Sequence, residues 1–274
     1  MVFDLIDWRG SRIMVDREIS AQPQDEESRL YECNYRVRAN EMDFRGRAHA
    51  VSILNYLQDI AGEHAIRLGF SVFDLQQRNL TWILHRSRTR IFRLPESGEV
   101  LKVSTWPSGQ ERIFALRDYE IRDQKDEILV CASSFWGMTN LKTMRPVRLE
   151  KNLSGYPSLD RRALDADLKP FPKLEKLDTE TSFQVRLADL DINQHVNNSI
   201  YAGWAIESIP IEFNRQYSLA EIEIGFLSEA FYGDRVISRT QMLSDGDEPV
   251  FLHQLVNERN GKDLCNAKTT WRRG

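Results

Sequence analysis

Cysteine is scarce in this chain. Its 274 residues include three, Cys33, Cys131 and Cys265. They are far apart, odd in number and form no CxxC pair, which argues against a disulfide framework or a zinc knuckle and fits a reducing compartment. Long apolar runs are also missing. No window approaches 18 consecutive apolar residues, so no membrane span is expected. Asp4 and Asp7 interrupt the apolar part of the N-terminus, which therefore does not read as a signal peptide. A strong charge of one sign is absent as well: the formal net charge is −4, which gives no reason to expect nucleic acid as a partner. The default expectation is a cytoplasmic protein. Charged residues at 28% and hydrophobic residues at 41% are ordinary for a globular chain, long enough for one large domain or two of usual size.

The sequence repeats itself. Residues 35–60 align with 183–208 at a constant offset of 148, so that Val37 meets Val185, Arg38 meets Arg186, Asp43 meets Asp191 and Asp59 meets Glu207. A second pair of blocks aligns at an offset of 135, matching Gly98 with Gly233, Ala132 with Ala267 and Trp136 with Trp271. The offset changes between the helix and the first strand after it, where a loop would vary in length.

Each half reads as a strand (Tyr31–Arg38; Thr181–Leu187), a polar turn, a helix and a run of strands. Ile53, Leu54, Leu57, Ile60, Ala61, Ala65 and Leu68 have helical spacing, which predicts a helix over Ala50–Leu68 closed by Gly69. The second helix is expected over Asn198–Ser208, capped by Asn197 or Asn198 and ended by Pro210. Strands are expected near 81–92, 99–106, 112–122 and 127–139, and near 221–231, 235–243, 250–258 and 262–272, parted by turns such as PESGE and SDGDEP. One helix with a run of antiparallel strands is an α+β pattern. Two such units make a tandem, or double, hot-dog fold, each long central helix wrapped by a curved antiparallel sheet. The expected divisions are an N-terminal extension (1–28), a first hot dog (29–145), a linker (146–178) and a second hot dog (179–274).

The window DLDINQHVNN, residues 189–198, concentrates polar side chains just before the second helix. Its start imitates a calcium loop, but such a loop wants Gly at its sixth position and Glu at its twelfth, and these hold Gln194 and Ile200. Zinc would want more His or Cys nearby. The plainer alternative is a polar turn that caps a helix, which accounts for Asp189, Asn197 and Asn198. The first copy of the turn, EMDFRGRAH, keeps Asp43 but has Arg45 opposite Asn193 and Arg47 opposite His195. The duplicated scaffold thus has no need of Asn or His there, which points to one site, in the second half.

Three stretches, DLDINQHVNNSIYAGWAIESIP (189–210), EIGFLSEAFYGD (223–234) and ASSFWGMTNLKTMRP (132–146), resemble the acyl-acyl carrier protein thioesterases of plant plastids and bacteria. The resemblance implies hydrolysis of the thioester joining a fatty acyl chain to the phosphopantetheine arm of acyl carrier protein. It places the functional residues at Asp191, Asn193, His195 and Glu229. The family's usual Cys after the glutamate is Ala230 here, so water rather than a cysteine acyl-enzyme is expected to attack. No cofactor is implied, because the phosphopantetheine arrives on the substrate.

The residues themselves allow such chemistry. A turn entering a helix offers free N–H groups and the positive end of a dipole to a developing oxyanion. His195 can pass a proton to or from water or the leaving thiolate, Asn193 can donate or orient water, and Asp191 can fix the loop. Glu229 would share a strand face with Leu227 and Phe231, either as a general base or as an edge-strand charge. Acyl carrier proteins are acidic, so Arg86, Arg88 and Arg90, on one strand face, are the candidate docking surface, with a merely solvated face as the alternative. The resemblance also implies an acyl tunnel in the N-terminal half, against helix Ala50–Leu68 and the strand around Leu80–Leu84. A hot-dog acyl-CoA thioesterase would share this chemistry. A dehydratase fits the motif less well, and an acyl-thioester-binding regulator lacks a DNA-binding module. A homodimer is compatible with the sequence.

Overall fold

The computed structural model describes residues 29–274 and the backbone of residues 2–6 and 12–16. Strands β1 (Val2–Ile6) and β2 (Arg12–Asp16) pair antiparallel as a separate two-stranded sheet. The rest of the expected N-terminal extension lies outside the described residues.

The first half contains β3 (Tyr31–Arg36), α1 (Ala50–Leu68), α2 (Val72–Gln76), β4 (Leu80–Ile91), β5 (Val100–Glu111), β6 (Phe114–Arg122) and β7 (Ile128–Asn140). A short β8 (Arg145–Pro146) pairs with β7. The second half contains β9 (Thr179–Gln184), α3 (Asn198–Glu207), α4 (Ile211–Asn214), β10 (Tyr217–Phe226), β11 (Arg235–Ser244), β12 (Val250–Asn257) and β13 (Asp263–Arg273). The main sheet runs β3-β5-β6-β7-β4-β10-β13-β12-β11-β9. Read outward from the central β4–β10 pair, the two halves have the same strand order. This is the double hot dog, and the duplication seen in sequence is a duplication of topology.

Helix α1 buries Ile53, Leu54, Leu57, Ile60 and Ala61 on one side, as their spacing requires, and Gly69 takes the left-handed conformation at its C-cap. Each such Leu or Ile contributes roughly 1.5–3 kcal/mol by leaving water. Helix α3 buries adjacent positions too, Tyr201 with Ala202 and Trp204 with Ala205, because α1 lies on one side of it and the sheet on the other. A Cβ at Gly203 would meet Val51 Cγ2 at 3.2 Å, so the two helices touch closely there. Buried residues of both halves form one core. The length difference between the copies lies largely in the helices, 19 residues in α1 and 10 in α3, rather than in the loop that the changed offset suggests.

The seam between the halves takes Arg86 out of the expected docking surface and pairs Arg88 and Arg90 with a carboxylate across it. Glu221, Glu223 and Gly225 of β10 stand opposite Arg90, Arg88 and Arg86 of β4. Arg86 is 6% exposed, pairs with Glu223 at 3.2 Å, and donates to the carbonyls of Asp167 (3.2 Å) and Lys169 (2.6 Å). Its guanidinium lies 4.3 Å over the Phe171 ring. Arg88 and Arg90 donate to the two oxygens of Glu221, at 2.9 and 2.8 Å, and Arg88 also reaches the Asp165 carbonyl at 2.8 Å. The arginines proposed as a docking surface are a staple that joins the halves and pins the linker. Their carboxylate partners, more than 130 residues away in sequence, satisfy them from the neighbouring strand.

A second correction concerns β10. It ends at Phe226, where the N–H groups of Leu227 and Ser228 both turn to the Leu264 carbonyl (2.8 and 3.1 Å). Glu229 therefore stands on a loop, not on a strand face, and Leu227 and Phe231 beside it are about half exposed.

Candidate active site

The window 189–198 folds into a tight frame made by its own backbone. Asp191 Oδ1 accepts the N–H of Asn193 (2.8 Å) and of His195 (3.4 Å). The Asp191 N–H donates back to the His195 carbonyl at 2.8 Å, and the Gln194 N–H donates to the Asp191 carbonyl at 3.0 Å. Asp189, 1% exposed, accepts the Arg186 N–H at 2.8 Å and its guanidinium at 2.7 Å. Burial alone would raise the Asp189 carboxyl, but the bonds from Arg186 outweigh it and hold the carboxyl below its ordinary range. Both aspartates of the window are thus engaged in shaping it. Asn197 caps α3, its side chain accepting the Ser199 N–H at 2.9 Å.

The first copy repeats this frame. Asp43 Oδ1 accepts the N–H of Arg45 (2.8 Å) and of Arg47 (3.0 Å), and the Asp43 N–H donates to the Arg47 carbonyl at 2.7 Å. The left-handed position is Gly46 there, at φ +75°, and Gln194 in the second copy, at φ +65°. Only glycine takes that conformation without steric cost. Asp191 accordingly builds the loop, as Asp43 does.

What differs is the outward chemistry. In the second copy His195 Nδ1 lies 3.3 Å from Glu229 Oε1, with the two side chains 33% and 44% exposed. Phe231 sets its ring edge-on to the imidazole, with centroids 5.2 Å apart. The Val196 N–H donates to the Ala230 carbonyl at 3.1 Å, which ties the glutamate loop to the histidine loop. In the first copy the equivalent bond runs from the Ala48 N–H to the Pro95 carbonyl at 2.8 Å, so Leu94 occupies the place of Glu229. Arg45 and Arg47 donate to the Tyr217 carbonyl (3.0 Å) and Ser218 Oγ (2.9 Å), bracing β10.

Of the four residues expected at the site, His195 and Glu229 meet, Asp191 lies beneath them, and Asn193 is exposed at the rim. Phe231 was missed by sequence reasoning. Its only signal was its place two residues after Glu229. A cavity of about 40 Å³ lies in the seam beside the first turn of α3, lined by Leu54 and Leu57 of α1, Leu84 and Trp136 of the first-half strands, and Asn198 and Ser199 of α3. Ligand pockets run to roughly 300–1,000 Å³, so this cavity is far smaller than a ligand pocket. The cavity takes walls from both halves.

The acyl-ACP thioesterase N-terminal domain model matches residues 28–155, and the acyl-ACP thioesterase C-terminal domain model matches residues 173–273. The chain belongs to the acyl-ACP thioesterase family. Among curated relatives, the chloroplastic oleoyl-acyl carrier protein thioesterase of Coriandrum sativum is 29% identical over 288 residues, covering 90% of this chain and 78% of that protein. The chloroplastic palmitoyl-acyl carrier protein thioesterase of Cuphea hookeriana is 28% identical over 293 residues, covering 98% and 68%. Among solved structures, the 12:0-ACP thioesterase from Umbellularia californica aligns with a TM-score of 0.82 at 24% identity, covering 89% of this chain and 94% of that one. An acyl-ACP thioesterase from Bacteroides thetaiotaomicron aligns at 0.81 and 24%, covering 91% and 100%. At that identity the structural matches establish the fold.

Proposed function

We propose that this protein hydrolyses fatty acyl-acyl carrier protein to free fatty acid and holo-carrier protein, with water as the nucleophile. The observation that carries the mechanism is the 3.3 Å contact between His195 and Glu229, made by two separate loops at the entrance to α3 and missing from the duplicated copy. The pair takes a proton from a water whose oxygen bonds to the thioester carbon, and supplies a proton to the departing sulfur as the C–S bond breaks. Asn193 at the rim offers a side-chain N–H donor to the oxygen that gains charge. Asp191 holds the loop.

Cysteine chemistry has no support here. Ala230 occupies the position after the glutamate, and burial raises the Cys131 thiol to about 11. Cys265 is fully buried, and Cys33 sits on β3 at the outer edge of the sheet. The reaction needs no resident cofactor on this reading. The two curated relatives named above are chloroplastic, and we place this chain in the cytoplasm on its three unpaired cysteines. Oleoyl and palmitoyl thioesterases match at similar identity, so the acyl length is left to assay.

The test is a panel of acyl groups presented on carrier protein and on coenzyme A, run with the parent, His195→Ala and Glu229→Gln. Faster turnover on carrier protein, lost in both variants, is the expected result. Equal turnover of acyl-CoA would make this a general acyl thioesterase. Parental activity in Glu229→Gln would overturn the mechanism.

A further inference from the structure

Six residues after His195, Tyr201 lies within α3, 2% exposed, its ring edge-on to Trp204 and Phe226. Its hydroxyl accepts the N–H of Ala230 at 2.9 Å. Ala230 is fully buried, and its carbonyl accepts the Val196 N–H at 3.1 Å. The backbone of Ala230, the residue after Glu229, is therefore held at both of its polar groups, its carbonyl by the histidine loop and its N–H by the tyrosine.

The first copy shows which of these two bonds the fold requires. The carbonyl bond is kept there, as Ala48 N–H to Pro95 O at 2.8 Å. The other bond is gone, and both of its partners are gone together. Pro95 stands in the place of Ala230 and has no N–H, and Ile53 stands in the place of Tyr201 and has no hydroxyl. Leu94 replaces Glu229 in the same copy. A double hot dog half thus closes this turn without the tyrosine bond. The bond accompanies the glutamate. A backbone position fixed at one end only can swing about the other, and a carboxylate on a half-exposed loop needs its backbone fixed to reach an imidazole nitrogen at 3.3 Å.

We propose that Tyr201 is a positioning residue for the reaction: its hydroxyl holds the Ala230 peptide so that the Glu229 carboxylate meets His195. This rests on the assignment of Glu229 to the reaction. Burial keeps the phenol well above its ordinary pKa, and so neutral and able to accept the N–H.

The experiment is a double-mutant cycle on the full chain with Tyr201→Phe and Glu229→Gln, assayed for acyl-carrier-protein hydrolysis across pH. Tyr201→Phe is expected to lower kcat by about tenfold or more with KM changed less than about twofold, and to move the pH profile. In the Glu229→Gln background it is expected to have no further effect, because it acts through that carboxylate. Ala230→Pro removes the same bond from its donor end, as the first copy does, and is expected to lower kcat alike. If Tyr201→Phe folds poorly, Ala230→Pro decides the matter. Parental kcat and pH profile in the folded variants, or a loss that multiplies with that of Glu229→Gln, would overturn the proposal. Parental activity in Glu229→Gln itself would instead remove the glutamate from the reaction, which is a separate failure.

Discussion

The two copies of the Asp frame allow stability and activity to be measured apart. Asp191→Ala removes an acceptor used by the N–H groups of Asn193 at 2.8 Å and His195 at 3.4 Å. A hydrogen bond to a charged group is worth about 1.5–3 kcal/mol, the lower end applying to a partly exposed loop, and the longer bond adds little. The expected cost is about 2 kcal/mol. For a chain of this size that lowers the melting temperature by about 4–8 °C. Asp43→Ala removes the same acceptor from Arg45 and Arg47, at 2.8 and 3.0 Å, and should cost as much or slightly more.

The catalytic outcomes should differ. His195 takes its place from the Asp191 frame, and a displacement near 1 Å at a reacting group costs about 100-fold. Asp191→Ala is expected to lose turnover of that order, while Asp43→Ala keeps parental turnover at any temperature where both are folded. Asp191→Asn retains an acceptor oxygen and should recover most of both losses. Thermal melts and single-substrate hydrolysis assays suffice. Equal losses of kcat in Asp43→Ala and Asp191→Ala would refute the assignment of the site to one copy. An inactive but fully stable Asp191→Ala that Asn does not rescue would place the carboxylate in the chemistry instead.

Gln194→Gly should stabilise the protein by about 0.5–1 kcal/mol, because a non-glycine residue at φ +65° carries a steric cost that Gly46 avoids in the first copy; a lower midpoint in urea would count against it. His253 lies between Thr240 and Thr269 hydroxyls, both at 2.9 Å, and burial pushes its pKa down to about 3. An unfolded histidine titrates near 6.5, so only the unfolded chain gains a proton as pH falls below that value, and stability declines by up to about 1.4 kcal/mol per pH unit on the way toward 3. Above pH 6.5 the effect vanishes. His253→Gln should remove this slope in urea titrations at several pH values, and an unchanged slope would exclude His253 as its source. Arg86→Ala leaves Glu223, whose carboxyl burial already raises, without its partner, and should cost about 3–5 kcal/mol. The pair Arg86→Met with Glu223→Leu should recover most of that and leave KM for acyl-carrier protein unchanged; a large rise in KM would restore the docking role.

The fold was legible because its signals are local and doubled. Ala50–Leu68 carries helical spacing and a closing glycine, and the strands after it alternate between clear turns. The same order recurs in the second half, and together these identify two helix-and-strand units, which β4 and β10 join edge to edge into one sheet. The features that were not legible depend on partners distant in sequence. Arg86, Arg88 and Arg90 look like an open basic face until β10 brings Glu221 and Glu223 alongside. The end of β10 at Phe226 is set by the Leu264 carbonyl on β13, which no pattern within 221–231 reveals. Glu229 is a candidate through its motif, and a charge on a strand face does not describe it, because β10 ends at Phe226 and Glu229 stands on the loop beyond.

The duplication also shows how the two copies can differ at their outward residues while sharing one fold. Nearly every bond of the Asp frame joins backbone groups to one another or to a single aspartate, so the side chains at 45 and 47, or 193 and 195, are free to change. Arginines at the first pair brace β10, and asparagine and histidine at the second face the glutamate loop. The glutamate loop has the same freedom, since the carbonyl bond that closes it uses Pro95 in one copy and Ala230 in the other. Changes at the outward positions therefore cost the scaffold little, whereas changes at Asp43 or Asp191 cost both copies alike. A site assembled this way is read from what the two copies do not share.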